Sequence, residues 1–110
     1  MADIDIESVA RNMLQALEGV FKDKWPEVKN FAESESKKFA QSMAEIEVWK
    51  ADGEITEEQA VALSRLHQRS MAMVFTALEG IGLAIAEKAV NAAIDVIRNA
   101  INTAIGWAIL

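Results

Sequence analysis

The sequence contains no cysteine and only one histidine, and these two absences exclude several kinds of chemistry. Without cysteine there is no disulfide, no thiolate metal ligand and no thiol nucleophile. His67 lies between Arg65 and Arg69, with no partner at the spacing of a metal cluster or a catalytic triad. We therefore expect His67 to be solvated or at the edge of the core. We predict a protein that is not an enzyme and needs no cofactor or metal.

Helix-breaking residues are also scarce, with one proline, Pro26, and five glycines among 110 residues. Alanine, glutamate, lysine and leucine are abundant, which predicts a chain that is helical almost throughout. No segment alternates apolar and polar residues for long enough to suggest a strand. The length and an apolar content of 52% fit a single helical-bundle domain, residues 1–110.

A basic surface is missing, since the net charge is −6. This argues against nucleic acid as the main partner, because phosphate contacts need clustered basic side chains. The charge is unevenly distributed: residues 1–59 carry 14 acidic and 7 basic side chains, whereas residues 60–110 carry 3 and 4. The chain thus has an acidic first half and an apolar second half that needs to be covered.

Long apolar runs are absent as well. The longest uncharged run, Asn99 to Leu110, has 12 residues, whereas a membrane-spanning helix needs about 20 mostly apolar residues. The opening sequence MADIDIESVA is acidic and has no basic region before an apolar one, so we expect no signal peptide. These patterns predict no simple transmembrane segment and a location in the cytoplasm or in a phage particle.

Apolar spacing at helical period predicts four helices, at about Ile6–Lys22, Pro26–Ala51, Glu57–Leu78 and from Ile81 to Leu110. Asp5 is the predicted cap of the first helix. Glu35 interrupts the apolar stripe of the second helix, whose middle we therefore expect to be solvated or to contact a polar partner. The predicted core positions of the last three helices are Val28, Phe31, Ala32, Phe39, Met43, Ile46, Trp49; Ala60, Leu63, Leu66 or His67, Met71, Val74, Leu78; and Ile85, Val90, Ile94, Ile97, Ile101, Ile105.

The junction between the third and fourth helices has two interpretations. Gly80 is suited to a left-handed helix cap, which predicts a break in LEGIGLA. The helical spacing of apolar residues, however, continues without interruption through Val74, Leu78, Ile81 and Ile85, which favours one long bent helix. The sequence leaves both open.

The stretch VWKADGEITEEQA, residues 48–60, resembles a calcium-binding EF-hand loop at first sight. Aligned on Asp52 and Gly53, however, such a loop would place Val48, Lys50 and Gln59 at positions that require oxygen ligands. A turn explains the stretch better. Asp52 and Gly53 reverse the chain, and Thr56 caps the third helix with Gln59 completing a capping box.

The fourth helix carries the strongest functional signal, because its apolar face is wide and its small residues recur every four positions. Such spacing lets two helix backbones approach closely. We predict helix–helix association here, between subunits of a homo-oligomer. The predicted self-association residues are Ala89, Ala93, Ile97, Ala100, Ile101, Ala104, Ile105 and Ala108.

Trp25, Trp49 and Trp107 lie near predicted helix ends, where they are expected to close the ends of a bundle. Trp107 has a second interpretation, as an anchor at a membrane interface.

The second half also resembles small all-helical proteins encoded by tailed phages and prophages. The similar segments are the DGEIT turn, LEGIGL, and the closing alanine–isoleucine helix with NAAI and NAI. The resemblance carries no site residues, but it implies a phage-related part that is not an enzyme.

Together these patterns predict an all-α antiparallel helical hairpin or bundle of three to four helices that is oligomeric. The function we expect is that of a structural or interaction protein that self-associates through its apolar C-terminal half, as a phage-related assembly component. Two alternatives remain: a membrane-active protein that inserts residues 57–110, and a helical regulator of another protein. No small-molecule substrate is evident.

Overall fold

The computed structural model describes residues 3–110, and every regular element in this range is helical. The four α-helices are α1 (Ile6–Phe21), α2 (Trp25–Ala51), α3 (Glu57–Thr76) and α4 (Leu83–Ile105). One turn of 3-10 helix, Lys22–Lys24, joins α1 to α2. The prediction of an all-α protein is confirmed.

The helices form an up-and-down bundle in which each helix runs antiparallel to the next. The closest packing joins α1 to α4 and α1 to α2, while α3 lies against α4 and α2 with fewer contacts. The longest helix, α2, has 27 residues and would measure about 40 Å at 1.5 Å per residue, which matches the 43 Å long dimension of the molecule. At the end of the bundle where α1 and α3 finish, the rings of Phe21 and Phe75 meet edge to face, with centroids 5.0 Å apart.

Local capping signals determine where α1 and α3 begin. The Asp5 carboxylate accepts the backbone N–H of Ser8 at 3.2 Å, which satisfies a donor that the first turn leaves free. The predicted end of the second helix at Ala51 and start of the third at Glu57 agree with the structure.

The junction between α3 and α4 is broken. Gly80 adopts a left-handed conformation with φ +83°, which glycine tolerates because it has no Cβ. Beyond it, Ile81 is buried although it belongs to neither helix, so its apolar character serves the core and not a continuous helix. The alternative of one long helix is therefore wrong. The predicted boundaries at Leu78 and Ile81 each extend the helices too far.

The fourth helix also ends earlier than predicted, at Ile105. Gly106 takes φ +84°, and its N–H donates to the carbonyl oxygen of Asn102 at 2.8 Å, in a left-handed cap. The next residues fold back along the helix, because the Asn102 side-chain oxygen accepts the N–H groups of Ile109 and Leu110, both at 3.0 Å. Ile109 is buried by this return.

Several predicted core positions are exposed instead, namely Phe31 (45%), Trp49 (36%), Leu66 (59%) and Ile85 (44%). In α3 the buried residues are Ala60, Ser64, Met71, Ala72 and Phe75, and this spacing turns Leu66 to the opposite side. In α4 the buried stripe runs through small residues, Ala86, Ala89 and Ala93, which leaves Ile85 outside. In α2, Phe31 and Trp49 lie at the edge of the buried face.

In the middle of α2, Glu35 and Ser36 are buried, so solvation is wrong for these two residues, whereas their neighbours Ser34 and Lys37 are exposed. Glu35 is 8% exposed and Ser36 is 1% exposed. The Glu35 carboxylate accepts a hydrogen bond from Lys38, one helical turn away, at 3.2 Å. This partner makes burial of the carboxylate tolerable, because the charge is not left unpaired.

Candidate interaction surface

Exposed apolar side chains gather along the outer edge of α3 and the first turn of α4. Leu66 and Met73 of α3 are 59% and 63% exposed, and Leu83 of α4 is 54% exposed. Between the two helices lies a groove with a volume of about 500 Å³, which we call the α3–α4 groove. Its apolar lining is Ala72, Met73, Leu83 and Val90, and its polar lining is Arg65, Gln68, Arg69, Glu87 and Asn91.

Helical periodicity explains why one edge of α3 remains uncovered. The stripe formed by Ala60, Ser64, Met71 and Phe75 is buried in the bundle. Leu66 and Met73 are seven residues apart, so they lie on one side of the helix, away from that stripe. The apolar residues of α3 therefore form two faces, only one of which is covered by residues 3–110.

The groove also presents charges of both signs. Arg65 and Arg69 line it from α3, and Glu87 lines it from α4. Within residues 3–110 none of these three side chains forms an ion pair. The nearby pair of Arg98 and Asp95, 2.7 Å apart, lies three residues apart on α4 and satisfies its own charges. The charges of the groove thus remain available for contacts with another molecule.

A partly buried hydrogen bond holds the wall of the groove on α3. The Gln68 amide donates to the hydroxyl of Ser64 at 3.1 Å, and Ser64 is fully buried. This bond fixes the Gln68 side chain along the helix, between Arg65 and Arg69.

The predicted self-association residues divide into three groups by burial. Ala89, Ala93, Ile97, Ile101 and Ile105 are buried within this chain, Ala104 is half-buried, and Ala100 and Ala108 are exposed. The residues Ala100 and Ala104 line a small cleft of about 180 Å³ together with Val9 of α1.

The small-residue spacing therefore brings α4 close to α1 of the same chain, and these two helices form the closest pair in the bundle. Contact between copies stays a prediction, and it has to use residues outside this intrachain seam.

The predicted turn and cap residues form one local unit between α2 and α3. The Thr56 hydroxyl accepts the N–H of Gln59 at 3.1 Å, and the Gln59 side-chain oxygen accepts the N–H of Thr56 at 2.9 Å. This is a complete capping box. Asp52 and Gly53 make the preceding turn, in which the Gly53 N–H donates to the carbonyl of Lys50 at 3.0 Å. The unit fixes where α3 begins, and with it the position of the groove.

His67, the single histidine, is half-buried on α3 and does not line the groove. In the part of the chain that the structure describes, no three side chains of the types His, Cys, Asp and Glu are placed to hold a metal ion. None of the helices within residues 3–110 has both the length and the apolar character needed to cross a membrane.

Sequence reasoning did not identify the groove. It gave Met73 and Leu83, which line the groove, no role, and it assigned Leu66 or His67, which do not line it, to the core. A signal for a second apolar face was nevertheless present in the sequence. The third helix contains more large apolar residues than one buried stripe can hold. These seven residues are Val61, Leu63, Leu66, Met71, Met73, Val74 and Phe75. The excess indicates a second apolar face.

Comparison with known proteins found no match for this chain among protein-family models, curated proteins or solved structures.

Proposed function

We propose that this protein is a helical structural or interaction protein, without enzymatic activity, that self-associates through the α3–α4 groove in its C-terminal half. One observation carries the proposal: Met73 and Leu83, which line the groove from two adjacent helices, are each more than half exposed. Neighbouring apolar side chains that remain in water favour a partner, because covering them removes apolar surface from solvent.

The size of the apolar surface indicates weak association. Fully burying a large apolar side chain stabilises by about 1.5–3 kcal/mol, so covering the exposed half of each contributes roughly 1 kcal/mol. The two side chains of each copy, four in all, then contribute about 4 kcal/mol, which the entropy cost of association, about 4–15 kcal/mol, offsets. The remaining contacts of the interface have to supply the surplus, so we expect weak self-association, at concentrations of about 1 mM.

The uneven charge supports the same proposal. Acidic side chains in the first half keep copies apart, whereas residues 60–110 carry only 3 acidic and 4 basic side chains. Contact through the second half brings together the parts that repel least. A phage-related assembly, which the resemblance of the DGEIT and LEGIGL segments implies, is the setting we propose.

Sedimentation equilibrium over roughly 0.05–2 mM tests the proposal, since this range brackets the expected affinity. The mass should rise above the 12.1 kDa of one chain as concentration increases. Met73→Gln and Leu83→Gln, at two exposed positions of the groove, should each hold the protein closer to the monomer mass. Val96→Gln is the matched control, because Val96 is 55% exposed but lines the cleft between α1 and α4.

A mass of 12.1 kDa at the highest concentration would contradict self-association. Vesicles of neutral and anionic lipid form a second arm of the experiment. Co-sedimentation of a monomeric protein with them would favour the membrane-active alternative instead. A monomer that binds neither lipid nor itself would leave the regulator alternative.

A further inference from the structure

We propose that the occupant of the α3–α4 groove is the same groove of a second copy. The two copies are related by a two-fold axis parallel to the groove, and Arg69 of each copy pairs with Glu87 of the other. This inference rests on the proposed self-association and specifies its geometry.

A two-fold contact needs a surface that is complementary to itself. The α3–α4 groove meets this condition, because its basic residues, Arg65 and Arg69, belong to one helix and its acidic residue, Glu87, belongs to the other. Apolar side chains, Met73 and Leu83, line the same groove. When α3 of one copy packs against α4 of another, opposite charges therefore come together around an apolar centre.

The distribution of charge selects the direction of the axis. An axis parallel to the groove lays α3 of one copy over α4 of the other, with Arg69 opposite Glu87 twice. An axis perpendicular to the groove lays α3 over α3, which places Arg65 and Arg69 against the same residues of the partner. Like charges in close contact disfavour the second arrangement.

The same charges favour a second copy over an unrelated acidic helix. An acidic helix would suit Arg65 and Arg69 but would place carboxylates beside Glu87. The groove of a second copy satisfies both signs. None of the three side chains forms an ion pair within residues 3–110, so no existing pair has to be broken.

In this arrangement the apolar side chains supply most of the attraction, and the charge pairs set the orientation. Pairs at the rim of an interface contribute little to affinity but act strongly against wrong arrangements. Rim pairs are also weakened by salt, because exposed charges are screened within about 8–10 Å at physiological ionic strength.

Charge reversal tests the pairing. Arg69→Glu and Glu87→Arg should each weaken the self-association constant by about tenfold, through like-charge contacts across the interface. The double variant, with both changes in every copy, should recover most of the loss. Arg11→Glu changes the net charge as Arg69→Glu does, but on an exposed position of α1 outside the groove, and should have a much smaller effect.

The possible outcomes distinguish failure of the proposed self-association from failure of the paired-groove geometry. A wild-type protein that never associates overturns both the proposed function and this inference. The second outcome is a wild-type protein that associates while Arg69→Glu, Glu87→Arg and Arg11→Glu all change the self-association constant by the same amount. That result would leave the proposed function standing and would overturn the pairing of the two grooves. Circular dichroism of each variant checks that the helices are retained.

Disulfide trapping provides an independent measurement, because the chain has no cysteine of its own. Under mild oxidation, a mixture of Met73→Cys and Leu83→Cys proteins should form the mixed dimer in preference to either homodimer. Val96→Cys, on the other side of α4, should cross-link poorly. Predominant Met73→Cys homodimers would indicate α3 packed on α3 and would overturn the proposed axis.

Discussion

The ammonium group of Lys50 lies 4.7 Å from the centroid of the Trp107 ring. The same nitrogen donates a hydrogen bond to the backbone carbonyl oxygen of Ile105, the last residue of α4. A cation there interacts favourably with the negative end of the helix dipole. One side chain thus joins the end of α2 to the end of α4 and to the segment that folds back after it.

Replacement of Lys50 by methionine tests this junction. We expect the free energy of unfolding to fall by about 1–2 kcal/mol, because the carbonyl of Ile105 loses its donor and Trp107 loses its cation. Urea unfolding followed by circular dichroism measures the change. Lys37→Met is the matched control, since Lys37 is exposed on the same helix and should change stability by less than about 0.5 kcal/mol. Equal effects of the two changes would show that the contacts of Lys50 contribute nothing.

Two glycines provide a paired prediction. A Cβ on Gly106 would lie 2.6 Å from the Lys50 nitrogen, at a φ of +84° that other residues rarely adopt. Gly106→Ala should therefore destabilise the protein by roughly 1–2 kcal/mol. A Cβ on Gly19, within α1, meets no atom within 4 Å, so Gly19→Ala should stabilise by about 0.5–1 kcal/mol.

Thermal and urea unfolding of both variants show whether each substitution lowers or raises the free energy of unfolding. Stabilisation by Gly106→Ala would contradict the left-handed cap. In a Lys50→Ala background the steric part of the penalty should disappear, so the cost of Gly106→Ala should be smaller there.

Elements that depend on local signals were predictable from the sequence. Asp5 and the pair Thr56 and Gln59 mark helix starts by side-chain chemistry within one turn, so their positions do not depend on the rest of the fold. The break between α3 and α4 was not decidable in this way. The helical spacing of apolar residues continues through Ile81, which suggests an unbroken helix. Only the tertiary structure shows that Ile81 lies in the connection between the two helices and is buried in the core.

The candidate surface was harder to predict for the same reason. Alanines four residues apart, such as Ala89 and Ala93, allow close helix contact, but the spacing does not say whether the partner helix belongs to the same chain. Here α1 is the partner. Leu66 and Met73 are exposed for a separate reason, because they lie on the side of α3 opposite its own buried stripe.

The buried carboxylate of Glu47 holds the segment that precedes α1. Its oxygens accept the backbone N–H of Asp3 at 2.9 and 3.0 Å and the N–H of Ile4 at 3.3 Å. Glu47→Ala should lower the free energy of unfolding by about 1–2 kcal/mol, because the N–H of Ile4 is left buried without an acceptor.

Hydrogen exchange resolved at single amides should also show faster exchange at Ile4 in the Glu47→Ala variant. Glu45→Ala, two residues earlier on an exposed position of α2, removes the same charge and should leave that exchange rate unchanged. If both variants accelerate exchange at Ile4 equally, the effect comes from charge and not from the hydrogen bonds.

Two buried serines have opposite surroundings and should respond differently to alanine. The Ser36 hydroxyl is buried without a hydrogen-bond partner in the described part of the chain, whereas Ser64 accepts a bond from Gln68. A buried polar group without a partner costs about 1–3 kcal/mol, so Ser36→Ala should raise the free energy of unfolding by roughly 1 kcal/mol. Ser64→Ala should lower it by a similar amount, because the Gln68 amide loses its acceptor. Urea unfolding of the two variants decides the matter, and destabilisation by Ser36→Ala would show that its hydroxyl is satisfied in solution.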